Sequence, residues 1–144
     1  MAGFGATFAN ALLLHILNAE SITGLSDDAA QGAATSLWAS LHTGSPAAGN
    51  QSTNEATYPS YERAEIPRDD TGFTVSSNVA TLTSIVAFKT STGTPNETYT
   101  HFGIGRDEDG NGLLLFYGTI TPNITMNAAG ITPRLTTSTS ITLT

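Results

Sequence analysis

The chain has 144 residues, a size that one hydrophobic core can serve. Charged residues make up 12% of it, against about 25% in an average soluble protein, and threonine, serine, asparagine and glycine take the polar positions instead. The net charge is −7 and the cations are Arg63, Arg68, Lys89, Arg106 and Arg134, so no basic stripe can neutralise a run of phosphates; neither nucleic acid nor an anionic membrane surface is expected as a partner.

An apolar content of 39% with regular alternation predicts a folded chain. Without cysteine there is neither a disulfide framework nor a thiolate zinc site. The apolar run 11–17 is too short for a bilayer and lacks the preceding basic residue of a signal peptide. Asn50, Asn96 and Asn123 match the glycosylation sequon, which here reads as a marker of loops.

Residues 5–17 carry the one helical pattern, with Phe8, Leu12 and Ile16 at every fourth position, Leu13 and Leu17 widening the stripe and Phe4 one turn earlier. Asn18 and the polar Glu20-Ser21 end it, and residues 24–32 read as loop. This helix and its connecting arm, residues 1–34, precede a β-sandwich domain over 35–144.

From there the period changes to two and strands are predicted at 35–41, 61–66, 73–76, 79–88, 98–104, 113–120 and 138–143. The fold class is mainly β, a jelly-roll-like β-sandwich with one N-terminal helix. In 79–88 the alternation slips near Ser84, the mark of a bulge or of a bend between two sheets. Residues 113–117, Leu-Leu-Leu-Phe-Tyr, are apolar on both faces and predict a central strand covered on both sides. The threonine-rich close is marginal alone and needs a partner strand. The polar stretch 43–58, through Pro46, Asn50 and Asn54, is longer than a hairpin turn, and loops of that kind often form contact surfaces.

Few constellations could carry chemistry. Asp107-Glu108-Asp109-Gly110-Asn111-Gly112 matches the first half of a calcium loop, but Gly118 stands where a bidentate glutamate is needed, and Asp109-Gly110 and Asn111-Gly112 are turn signals; a hairpin turn without metal is the reading, with a weak calcium site as the lesser alternative. His15, His42 and His101 each stand alone in sequence. No Gly-x-Ser-x-Gly elbow is present, and Gly103-Ile104-Gly105 lies in a strand context with no helix after it. Glu62 and Glu65 project from opposite faces of a strand and cannot act as a glycosidase pair. No cofactor and no catalytic residue are expected. Trp38, Tyr58, Tyr61, Tyr99 and Tyr117 admit a sugar-stacking reading, but core or rim positions suit most of them better; Tyr58 and Tyr61, at the loop exit, are the rings expected at the surface.

The order of these features resembles a family of small phage virion proteins, described either as capsid decoration (cement) proteins or as tail-fibre-like. The resemblance spans nearly the whole chain and rests on Leu12-Leu13-Leu14-His15, on Leu41-His42-Thr43 with Pro46, and on the run Asn54-Glu55-Ala56-Thr57-Tyr58 leading to Tyr61 and Arg63. Thr100-His101-Phe102-Gly103-Ile104 and Leu114-Leu115-Phe116-Tyr117-Gly118 complete it. It implies a structural protein of the bacteriophage virion without an active site. Its expected role is binding the outer capsid surface, with the major capsid protein as partner and self-association as dimer or trimer; the alternative is a tail-associated, receptor- or glycan-binding fibre component. The expected subunit or capsid contacts are Phe4, Phe8 and Leu12 on the helix and Pro46, Asn50, Asn54, Tyr58 and Tyr61 on the loop.

Overall fold

The computed structural model describes residues 6–21, 34–47 and 49–143. Among the described residues the chain is mainly β with a single N-terminal helix, as its sequence pattern predicts, and it groups into two compact units. The first takes residues 1–36, 67–85 and 136–144, the second residues 37–66 and 86–135.

In the first unit, helix α1 (Ala6–Asn18) packs on a three-stranded sheet of order β3-β4-β9, with β3 at Phe73–Ser76, β4 at Val79–Leu82 and β9 at Ser140–Thr142. The buried helix face is Ala9, Leu13 and Leu17, at the i, i+4, i+8 spacing of one stripe. The expected stripe through Leu12 and Ile16 sits at its edge, half-buried; the Leu12-Leu13-Leu14 run supports either phase, and packing on Phe73, Ala80 and Leu82 selects the second. Ala19, at φ 58°, turns the chain out of the helix. Arg68 then caps its C-terminus, donating from Nε to the Ile16 carbonyl and from Nη2 to the His15 carbonyl, each at 2.5 Å. Strands β3 and β4 are joined by Ser77-Asn78, both at positive φ, the geometry of a two-residue hairpin turn that matches strand twist.

The second unit is built on a four-stranded sheet of order β2-β1-β6-β7. Its strands are β1 (Ser36–His42), β2 (Ala64–Pro67), β6 (Glu97–Gly105) and β7 (Leu114–Met126); β5 (Val86–Ala87) and β8 (Arg134–Leu135) form a separate pair. The slip near Ser84 is therefore a break between two sheets, β4 lying in one and β5 in another. Central strands β1 and β6 pair antiparallel from Trp38↔Gly105 to His42↔His101, and Leu37, Ala39, Leu41, Phe102 and Ile104 are buried from them.

Strand β7 corrects an expectation. Residues 113–117 are not covered on both sides: β7 is the outermost strand, with Leu113 55% and Tyr117 50% exposed. Apolarity on both faces signals a wish to be covered, whereas strand order is decided by long-range pairing that the local pattern does not contain. The strand also runs past Pro122, beyond the expected end at 120, because residues 120–123 sit opposite Thr100 alone in an irregular bulge; on an edge strand a proline removes no inner ladder bond.

Candidate functional site

The loop 43–58 leaves β1, folds back over one face of the second unit's sheet and meets the turn 106–113 that joins β6 to β7. It braces itself first. Gly49 donates to the Pro46 carbonyl at 3.0 Å, and the Asn50 side-chain oxygen accepts from the Ser52 N–H at 3.0 Å in an Asx turn. Asn54, at φ 56°, returns its amide to the Ser45 carbonyl at 3.1 Å. Pro46 is buried, Asn50 half-buried and Asn54 exposed, so of these expected contact residues Asn54 lies at the loop surface, Asn50 in part, and Pro46 inside.

Gln51 ties the loop to the turn. Its side chain is fully buried: Nε2 donates to the Trp38 carbonyl at 3.3 Å, Oε1 accepts the Asp107 N–H at 3.1 Å, and its backbone N–H donates to the Gly112 carbonyl at 3.0 Å. A Cβ on Gly105 would fall on the Gln51 carboxamide, and one on Gly103 would lie 2.6 Å from Ser40 Oγ and 2.7 Å from His42 Nε2. The glycines of Gly103-Ile104-Gly105 are thus the floor on which these side chains rest. Two glycines at alternate positions of a strand were the available signal for such a close approach.

Arg63 is the second tie. Its guanidinium grips Glu55 in a fork, Nε to Oε1 at 2.7 Å and Nη2 to Oε2 at 2.8 Å, and reaches into the turn to the carbonyls of Asp107 at 2.9 Å and Gly110 at 2.7 Å. The interior of the Asp107–Gly112 segment is occupied by an arginine of the protein itself. Burial alone would lower the Arg63 pKa; the Glu55 carboxylate outweighs it and the net shift is upward. The Asp107 carboxylate accepts from Leu113 N–H at 2.9 Å and from Arg106, which hold its pKa below the usual range with the Leu113 bond leading. A hairpin turn is what the segment forms, as its Asp-Gly and Asn-Gly pairs predict.

The tyrosines expected at the surface turn inward. Tyr58 is 2% exposed and donates to the Lys89 carbonyl at 2.6 Å, with burial pushing its pKa up to about 12. Tyr61 is half-buried, stacked on Phe88 and edge-on to Tyr58; its hydroxyl donates to Glu55 at 2.9 Å and accepts from Leu41 N–H at 3.2 Å. Burial, then the Glu55 charge, raise its pKa. A polar tip that finds an interior partner lets the ring go inside, and nothing in the local pattern of 58–61 announces that Lys89 and Glu55 will supply one. Of the helix residues expected to make contacts, Phe4 and the Phe8 side chain lie outside the described residues, and Leu12 is half-buried in the first unit.

Ser40 and His42 form the arrangement nearest to a nucleophile and base, with Ser40 Oγ 2.9 Å from His42 Nε2 and His42 Nδ1 donating to the Thr53 carbonyl at 2.9 Å. Both side chains are fully buried under the loop, where the pair fastens loop to strand. Burial lowers the His42 pKa, against the raising effect of its bond to Thr53.

What remains at the surface is a rigid relief. The acidic turn stands between two depressions, one of about 560 Å³ lined by Asn50, Asp107, Asp109, Asn111 and Leu113, the other of about 440 Å³ lined by Glu55, Tyr61, Glu62, Glu108 and Gly110. Such a surface offers carboxylate and amide groups held in place, suited to recognition by shape and hydrogen bonds.

A family model described as Podophage GP4 fiber I protein gp80 matches residues 3–143. The chain belongs to this family. Among curated proteins none matches the chain significantly. Membership in the gp80 fibre family makes the chain a phage virion structural protein, in agreement with the resemblance carried by the Tyr58–Arg63 and Thr100–Ile104 motifs. Those motifs are the braces of the site. Tyr61 and Arg63 hold Glu55, and Phe102 and Gly103 lie in the central strand beneath the loop.

Proposed function

We propose that this protein is a component of a phage fibre, a tail-associated adhesion module that works by contact and performs no reaction. The observation that carries the reading is the gp80 fibre family match along 3–143. The geometry supports it. The loop 43–58 and the turn 106–113 are stapled by Gln51, Arg63 and His42, so they present a pre-shaped surface that loses little entropy when bound. The low charge and the hydroxyl-rich exterior suit a ligand read by hydrogen bonds, as a cell-surface glycan would be.

Capsid decoration, the other place such a chain could occupy, would make the major capsid protein its partner and give it a copy number near that of the shell subunit. Quantifying the protein against the major capsid protein in purified particles, with immunogold labelling of the same particles, separates the two. A few copies per virion with label at the tail is expected. Label spread over the shell at near-stoichiometric copy number would overturn the fibre reading.

A further inference from the structure

We propose that β7 is a pairing edge for a second copy of this chain, and that two molecules associate about a twofold axis through antiparallel β7–β7 contact centred near Tyr117. The strand is 13 residues long and, among the described residues, has β6 as its only neighbour, so the alternate N–H and C=O groups along its other side face outward.

An open edge of this kind is normally blunted by lysine, an inward-pointing charge or short length. From Leu113 to Met126 there is no Asp, Glu, Lys, Arg or His, and Leu113 and Tyr117 stand half or more exposed. The blunting devices are a one-residue slip at Leu115, between the pairs Ile104↔Phe116 and Gly105↔Leu114, and the wider irregularity at 120–123 with Pro122; between them Phe116 to Thr119 pairs regularly and carries no charge.

The choice of occupant follows from what could match the strip. Its complement is another open edge of similar length. Within the described residues the remaining edges are short: β2 has four residues and ends in Pro67, β3 has four, β9 three, and β5 and β8 two each. In a second copy, only β7 itself equals β7, and a strand that pairs with itself does so across a twofold axis. Charge agrees. Two chains of net charge −7 repel through most of their surface, and this strip brings no charge to the contact. The pairing concerns two copies of the chain and is separate from where on the virion they sit.

Because the chain lacks cysteine, a single introduced thiol can form only an intermolecular disulfide. Three forms of the full-length chain test the contact. Sedimentation velocity over a concentration series should give the wild type twice the 14.9 kDa chain mass. Tyr117→Cys should oxidise to a covalent dimer, while Thr92→Cys, exposed elsewhere in the second unit, should not. The double variant Tyr117→Lys, Thr119→Lys, which places like charges across the axis, should sediment as a monomer with the wild-type circular dichroism spectrum. A monomeric or trimeric wild type, or a failure of Tyr117→Cys to cross-link above the Thr92→Cys control, overturns the proposal; the cross-link decides even if the lysine variant does not fold.

Discussion

Arg63 and Glu55 meet in a fork of two parallel hydrogen bonds, and both side chains are largely out of water, 3% and 14% exposed. The same guanidinium carries two backbone carbonyls of the 106–113 turn, so one residue joins loop, strand and turn.

Arg63→Met should therefore strand the Glu55 carboxylate and release the turn. Breaking a buried ion pair from one side costs ~3–5 kcal/mol. Urea unfolding should show a loss of that size in unfolding free energy, read as the midpoint shift multiplied by the m-value, and Arg63→Lys should recover little of it, since an ammonium cannot serve both carboxylate oxygens and both carbonyls at once. Adding Glu55→Gln to Arg63→Met should restore part of the loss.

Much of the scaffold around that pair is legible in the sequence. The period-four run marks α1, the slip at Ser84 marks the passage from β4 to β5, and the Asp-Gly and Asn-Gly pairs mark the turn after β6. What escapes is whatever depends on partners far along the chain. Tyr58 and Tyr61 look like surface rings until Lys89 and Glu55 are seen to take their hydroxyls. Residues 113–117 look central because apolarity reports burial and carries no strand order. Strand β8 is two residues long, too short to leave a period. Gln51 reads as an ordinary loop glutamine, and its role is visible only through the missing Cβ of Gly105.

His42 makes the loop sensitive to acid. Its pKa is lowered in the folded protein because burial disfavours the imidazolium, so below the unfolded value of about 6.5 the unfolded chain takes up the proton first. Stability from this residue is complete above that pH and is lost as pH falls from there towards the lowered folded pKa. Thermal midpoints measured from pH 7.5 down to pH 5 should decline in the wild type. The decline should be smaller in His42→Gln, whose side chain does not titrate; an equal slope in both would remove His42 as the source.

Two glycines near the same turn should respond in different ways to alanine. At Gly105 the new methyl would overlap Gln51 and push it off Asp107 and Trp38, an overpacking cost of ~1–3 kcal/mol accompanied by loosening of the loop. At Gly110 no atom stands within 4 Å, but φ is +65°, and the cost is the ~1–2 kcal/mol of a left-handed residue. Limited proteolysis separates them: Gly105→Ala should open the 43–58 loop to cleavage, whereas Gly110→Ala should lower the unfolding midpoint and leave the loop protected.

In the first unit, Arg68 stands to the helix as Arg63 stands to the turn. It supplies donors to the His15 and Ile16 carbonyls in the last turn of α1, and it adds a positive charge where the helix dipole is negative. Charge-assisted hydrogen bonds of this kind contribute ~1.5–3 kcal/mol each, and part of that is regained from water when they are lost. Arg68→Met should therefore lower stability by ~2 kcal/mol, within the usual range for loss of a cap. Amide hydrogen exchange locates the effect. Faster exchange should appear in residues 15–18, while the amides of Leu41 and Ala56 in the second unit keep wild-type rates; uniform acceleration across both units would mean that Arg68 supports the whole chain and not the helix end.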